Sequence, residues 1–88
     1  MEDKYVWIFH GKSGKFASAV FDDENRARQW IESNNLQGVL TKYPINIGVY
    51  EWAVANKFFE PKNEGEKTPE FIQRFTSASQ DHIHFEND

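Results

Sequence analysis

The sequence predicts one α+β domain over residues 1–88, with a mostly antiparallel four-stranded sheet and helices packed on one face. Residues 4–10 are rich in β-branched and aromatic residues, and residues 82–85 alternate with period two, as in strands. Between these segments, apolar residues recur with helical spacing. The chain of 88 residues has room for one core only. The predicted order of elements is ββαβααβ.

The chain begins with a predicted hairpin. Residues 4–10 are almost all β-branched or aromatic, and both faces of this strand are apolar, which is typical of a central strand. Residues 11–15 contain two glycines and form the loop, and residues 16–21 return as the second strand. We expect this hairpin at the centre of the sheet, with the last strand beside the first.

A helix is predicted to follow the acidic residues 22–24, because an aspartate at the N-cap accepts a free backbone N–H and acidic side chains suit the positive end of the helix dipole. Its apolar stripe consists of Ala27, Trp30 and Ile31. Asn34, Asn35 and Gly38 are typical of a helix end.

The remaining elements follow from turn and capping residues. Residues 39–43 form a short strand that Pro44 closes. Residues 48–59 read as a helix, and residues 60–68, which are charged and contain Pro and Gly, as a mobile surface loop. A second N-cap begins a short helix at Thr68, and the period-two alternation at 82–85 predicts the final strand.

The core is expected to be built mainly from large apolar side chains of these elements. These are Trp7, Phe9, Val20, Trp30, Ile31, Leu40, Trp52, Phe71 and Phe75. Buried aromatic side chains each remove roughly 150–250 Å² from water, so the chain needs no disulfide to form a core.

The predicted helix at 48–59 has two apolar stripes, and packing on a sheet requires only one. One stripe consists of Val49, Trp52 and Ala53, and the other of Tyr50, Val54 and Phe58. The second stripe meets either another part of the domain or a partner. Tyr50 and Phe58 are therefore candidate interface residues. Glu51, which lies between the aromatic residues Tyr50 and Trp52, would also suit a pocket for a small ligand or a peptide. A core helix with Glu51 on its wet edge explains the same pattern.

The net charge of -4 comes from the second half of the chain. Residues 1–44 contain six basic and six acidic residues, whereas residues 45–88 contain four basic and eight acidic ones. Because negative charge repels phosphate groups and anionic lipid, nucleic acid and membranes are poor partners. A basic protein would be attracted.

The expected compartment is the cytoplasm. The chain has no cysteine, so disulfides and thiolate metal sites are excluded. Acidic residues occupy the start of the chain, where a secretory signal has basic ones, and the apolar run at 5–9 is too short for a signal or a membrane span.

The best candidate site is formed by three histidines. His82 and His84 project from the same face of the predicted last strand, so both rings could reach one divalent metal ion. His10 ends the first strand and would come near if the last strand pairs with it. The alternative is that the histidines form the solvent face while Ile83 and Phe85 face the core.

Two further motifs, a nucleotide-binding loop and a hydrolase triad, are not supported by the sequence. Gly11-Lys12-Ser13 resembles the end of a phosphate-binding loop, but Val6 stands where a glycine is needed and a strand follows instead of a helix. Ser79, Asp81 and His82 have the side chains of a hydrolase triad and are close in sequence. However, Asp81 and His82 are adjacent on a strand and therefore point to opposite faces, which a triad does not allow. We therefore expect a binding protein rather than an enzyme.

Five segments occur in a distinctive order along the chain, namely Val6-Trp7-Ile8-Phe9-His10-Gly11, Tyr43-Pro44, Gly48-Val49-Tyr50-Glu51-Trp52-Ala53, Phe75-Thr76-Ser77-Ala78 and His82-Ile83-His84-Phe85. Together they resemble a family of small bacterial proteins of unknown function. The resemblance implies a stand-alone bacterial protein in which the three histidines, Tyr50 and Trp52 belong to the family pattern. It implies no activity and no cofactor.

Two functions from different classes fit these features. The first is a small protein-binding module, either a homodimer or an acidic neutraliser of a basic partner, suggested by the acidic second half and the extra apolar stripe at 48–59. The second is a small-molecule or metal-binding protein built around His10, His82 and His84.

Overall fold

A computed structural model describes residues 4–86 and has an α+β fold, as predicted. The elements are β1 (Tyr5–Gly11), β2 (Ala19–Phe21), α1 (Glu24–Ser33), β3 (Gly38–Pro44), α2 (Val49–Ala55), a 3₁₀ helix (Glu64–Lys67), α3 (Pro69–Gln73) and β4 (His82–Phe85). The order differs from the prediction by the 3₁₀ helix, which lies inside the segment expected to be a loop. The Asn63 side chain caps this helix by accepting from the backbone N–H of Glu66.

The described part of the chain divides into two compact units. The sheet unit contains residues 4–45 and 80–86, and the helical unit contains Asn46–Ser79. All four strands and α1 belong to the sheet unit. The organisation as one domain stays a prediction.

The strands of the sheet unit lie in the order β2-β1-β3-β4, and all neighbours are antiparallel. The central position of β1 is confirmed. The expectations that β2 is also central and that the last strand lies beside the first were wrong. Because β3 pairs with β1 over all seven of its residues, it occupies the side of β1 that β2 leaves open. The last strand therefore pairs with β3.

One face of the sheet packs against α1 and forms the core of the unit. Phe9 lies opposite Leu40, and Leu40 lies opposite Ile83. Phe9 and Leu40 are buried together with Ala27 and Ile31 of α1, which confirms the predicted stripe of this helix. Partly buried hydrophobic side chains complete the cluster, namely Trp7, Ala19, Phe21, Trp30, Leu36, Ile83 and Phe85.

The opposite face, which we call the outer face, is built from three cross-strand rows. One row consists of Val20, Ile8, Thr41 and His82, a second of His10, Val39 and His84, and a third of Val6 and Tyr43. Val20 is 61% exposed, so its predicted place in the core was wrong. The reason is its register: Val20 lies opposite Ile8, which alternates with the buried Phe9 and so points away from α1.

The predicted start and end of α1 are both confirmed. The Asp23 side chain accepts hydrogen bonds from the N–H groups of Asn25 and Arg26. At the other end, Asn35 has a φ of 55°, and the Leu36 N–H donates to the carbonyl of Ile31. This is a Schellman end, in which asparagine tolerates the left-handed conformation.

The predicted helix at 48–59 is shorter in the structure and ends at Ala55. Lys57 has a φ of 62°, its N–H donates to Val54, and the N–H of Phe58 donates to Ala53. These two bonds also form a Schellman end, here without the usual glycine. The end of α2 at Ala55 was therefore not predictable from the sequence.

The second strand is also shorter than expected, since it begins at Ala19 rather than at residue 16. Phe16 is 79% exposed and takes no part in the core. The extra residues belong to a long loop after β1, within which the N–H of Gly14 donates to the carbonyl of Gly11.

Within residues 4–86, none of the helices is long and apolar enough to cross a membrane.

Candidate functional site

His10 and His84 lie in one row of the outer face, with Val39 of β3 between them. Both line an open cleft of about 600 Å³ at the end of the sheet, together with Lys12 and Glu86. The cleft thus combines two imidazoles, a cation and a carboxylate. Adjacent strands are about 4.8 Å apart, so the backbones of His10 and His84 are separated by two such spacings.

His10 already has a structural partner in the loop after β1. Its Nε2 lies 2.7 Å from the carbonyl oxygen of Gly14. Since a carbonyl only accepts, Nε2 donates this bond, and His10 holds the loop against the end of its strand. Nε2 is therefore not available as a metal ligand while this bond persists.

His82 and His84 form a close pair on the edge strand β4. Their ring centroids are 5.3 Å apart and the ring planes are nearly perpendicular, at 84°. Nδ1 of His82 donates to the carbonyl oxygen of Gln80 at 2.8 Å. Gln80 is only 4% exposed, and its own side chain donates to the carbonyl of Lys42 on β3. The orientation of His82 thus depends on a buried anchor.

The structure brings two of the three predicted metal ligands together. No group of three or more His, Cys, Asp or Glu side chains able to hold one metal ion occurs among residues 4–86. His82 and His84 are neighbours, whereas His10 lies beyond Val39. The separation arises because the last strand pairs with β3 instead of β1.

The predicted binding residue Tyr50 lies within an aromatic cluster of the helical unit. Its ring centroid is 5.8 Å from that of Phe59, 6.2 Å from that of Phe71 and 5.4 Å from that of Phe75. The Tyr50 hydroxyl donates to the carbonyl oxygen of Glu66 at 2.8 Å. Tyr50 therefore links α2 to α3 and to the 3₁₀ helix.

Replacing Tyr50 by phenylalanine is expected to lower the free energy of unfolding by about 1–2 kcal/mol, because the ring contacts remain and only the hydrogen bond to Glu66 is lost. Chemical denaturation measures this change. Tyr43→Phe, on the outer face, serves as the matched control. Equal effects of the two substitutions would contradict a specific role for the Tyr50 hydroxyl.

The other predicted binding residues of α2 and its end lie closer to solvent. Phe58 is 51% exposed, and its ring centroid is 5.3 Å from that of the partly buried Trp52. Glu51 is exposed. Phe58 also lines an open cleft of about 490 Å³ in the helical unit, together with Lys62 and Glu66. A binding role for these residues stays a prediction.

The apolar part of the outer face was not predicted from the sequence. Ile8, Val20 and Val39 share this face with the histidines. The alternation of Ile8 with Phe9 was visible in the sequence, but the face that α1 covers was not. Pairing β2 and β3 with β1 in register would have identified the three residues as one surface.

The chain was compared with known proteins. No curated protein and no solved structure matched it. One family model matched residues 6–88, which is nearly the whole chain, and that family is described as a domain of unknown function, DUF7710. This agrees with the resemblance to a small family of unknown function. The chain belongs to the DUF7710 family.

Proposed function

We propose that this protein is a binding module that associates with a second copy of itself through the outer face of its sheet. The observation that carries the proposal is the position of Val20. It is 61% exposed in the middle of the edge strand β2, and it lies directly opposite Ile8 of the central strand. Adjacent apolar residues on an open surface are typical of interaction sites.

The composition of the outer face supports a protein partner. In a sheet with one face in water, polar residues on the water face usually alternate along each strand with apolar residues on the core face. Here Ile8, Val20 and Val39 are aliphatic, while Thr41 and the histidines provide polar positions between and beside them. Two sheets pack face to face at about 10 Å, which lets such side chains interdigitate.

The distribution of charge favours a second copy over a basic partner. Of the eight acidic residues in 45–88, five lie in the helical unit, where four basic residues accompany them. The acidic half of the sequence therefore does not form one negatively charged unit. A symmetric dimer needs no charge complementarity of that kind, because each copy presents the same patch to the other.

Light scattering after size-exclusion chromatography tests the proposal. We expect the wild-type protein to show twice the chain mass of 10.3 kDa at high concentration. Val20→Lys should return the mass to that of one chain, because the charge would be buried against a second sheet. Val54→Lys is the matched control, since Val54 is 37% exposed on α2.

Two results would contradict the proposal. One is a single-chain mass at about 1 mM, a concentration at which an association of only about 4 kcal/mol is visible. The other is an equal loss of dimer in the Val20→Lys and Val54→Lys proteins, which would show that the outer face has no special role.

A further inference from the structure

We propose that His82 and His84 form a two-histidine binding site for a divalent first-row transition metal ion such as Zn²⁺, Ni²⁺ or Cu²⁺. Both ligands come from β4 of one copy, so the site does not require the self-association proposed above, although the two histidines lie on the same outer face. Imidazole nitrogen is a preferred ligand of these ions. The histidines occupy alternate positions of one strand and project from the same face.

The separation of the two rings suits a shared ion. Zn–N bonds measure about 2.0–2.1 Å, so two imidazoles at a tetrahedral angle around one ion have ring centres about 5.2 Å apart. The ring centroids of His82 and His84 are 5.3 Å apart. Both side chains are exposed, so an ion reaches them from solvent. The spacing of the two rings is thus compatible with one shared ion.

The hydrogen bond of His82 prepares its second nitrogen for a metal. Because Nδ1 donates to the carbonyl of Gln80 at 2.8 Å, the lone pair of the neutral ring is on Nε2. Histidine ligands of metals commonly donate their other ring nitrogen in this way, which fixes the tautomer and the ring orientation.

The support behind His82 is itself fixed. The buried Gln80 side chain donates to the carbonyl of Lys42 at 3.2 Å, and the N–H of Lys42 donates to the carbonyl of Asp81 at 2.9 Å. Residues 80 and 81, which directly precede the histidine, are thereby tied to Lys42 of β3. A ligand on such a support loses little freedom when the ion binds.

The third histidine does not belong to this site. Nε2 of His10 donates to Gly14, and Val39 lies between His10 and His84 in the sheet. Water completes the coordination sphere, which leaves the ion open to a further ligand. His10 consequently provides the matched control, since it is an exposed histidine on the same face.

Calorimetric titration of the full chain with ZnCl₂ or NiCl₂ tests the proposal. One ion per chain is expected to bind to the wild-type protein and to the His10→Ala variant with the same affinity. His82→Ala and His84→Ala should each weaken binding at least about tenfold, as the loss of a ligand or of its support does in metal sites. MgCl₂ should not bind, since Mg²⁺ prefers oxygen ligands.

Three results would overturn the site: no binding of Zn²⁺ or Ni²⁺, an equal loss of affinity in His10→Ala, or full affinity in His84→Ala. Circular dichroism verifies the fold of each variant, and His84→Gln replaces His84→Ala if that variant unfolds. The same titration on Val20→Lys separates the two proposals, because metal binding is expected to persist in a single chain.

Discussion

Replacing Phe9 by alanine is expected to lower the free energy of unfolding by about 3–5 kcal/mol, the range typical of buried phenylalanines. Phe9 is 1% exposed in the central strand, where it packs on Ala27, Ile31 and Leu40. Its ring also meets Trp30 of α1 edge to face, with centroids 5.7 Å apart. A small domain has about 5–15 kcal/mol in total, so this loss brings the sheet unit near unfolding.

Urea denaturation followed by tryptophan fluorescence measures the effect of this substitution. Phe16→Ala is the matched control, because Phe16 is 79% exposed in the loop before β2. We expect the control to change the free energy of unfolding by less than about 0.5 kcal/mol. Similar losses in the two variants would contradict the placement of Phe9 in the core.

Replacing Gly38 by alanine is expected to lower the free energy of unfolding by about 3 kcal/mol or more, at least as much as a cavity in the core does. Gly38 begins β3 with a φ of 156°. A Cβ at this position would overlap the carbonyl oxygen of His10 and would lie 2.8 Å from both Cα of Gly11 and Cζ of Phe9. Two of these neighbours are backbone atoms, so they move only if β1 and β3 separate.

The control for this prediction lies directly across the ladder. Gly11 pairs with Gly38, and a Cβ at Gly11 would meet its nearest neighbours at 3.8 and 3.9 Å, which is ordinary contact. Thermal unfolding of Gly11→Ala should therefore stay close to that of the wild-type protein, while Gly38→Ala melts at a much lower temperature. A Gly38→Ala protein with an unchanged melting temperature would contradict the described approach of the two strands.

Helix starts were predictable from the sequence because capping depends on neighbouring residues alone. The Asp23 side chain accepts from two backbone N–H groups, and the Thr68 hydroxyl accepts from the N–H of Phe71, with Pro69 in the first helical position. The alternation at 82–85 likewise placed β4 at its observed residues.

The pairing of β4 was not predictable, because it depends on contacts between distant parts of the chain. β3 pairs with the whole length of β1 and leaves no free side for the last strand. The end of α2 was missed for a different reason. Lys57 adopts a positive φ that the pattern of the sequence does not indicate, since lysine rarely occupies that conformation.

The candidate site was predictable only in its local part. Residues i and i+2 of a strand share a face, so the neighbourhood of His82 and His84 followed from the sequence. The distance of His10 from that pair depends on which strand lies between them, and that strand is β3. The exposure of Val20 depends on which face of the sheet α1 covers.

Self-association through the outer face would bury particular side chains, and their burial can be followed residue by residue. Binding of a second sheet removes water from Ile8, Val20 and Val39. It leaves Ala27 and Ile31, which α1 already buries against the other face of the sheet, in the same surroundings. The dimer should thus alter one face of the sheet and not the other.

Methyl NMR spectra recorded from dilute to concentrated protein measure this directly. If the outer faces of two copies pair, the resonances of Ile8, Val20 and Val39 move together along one binding curve while those of Ala27 and Ile31 stay in place. Shifts confined to residues of the helical unit, or none at any concentration, would contradict this pairing.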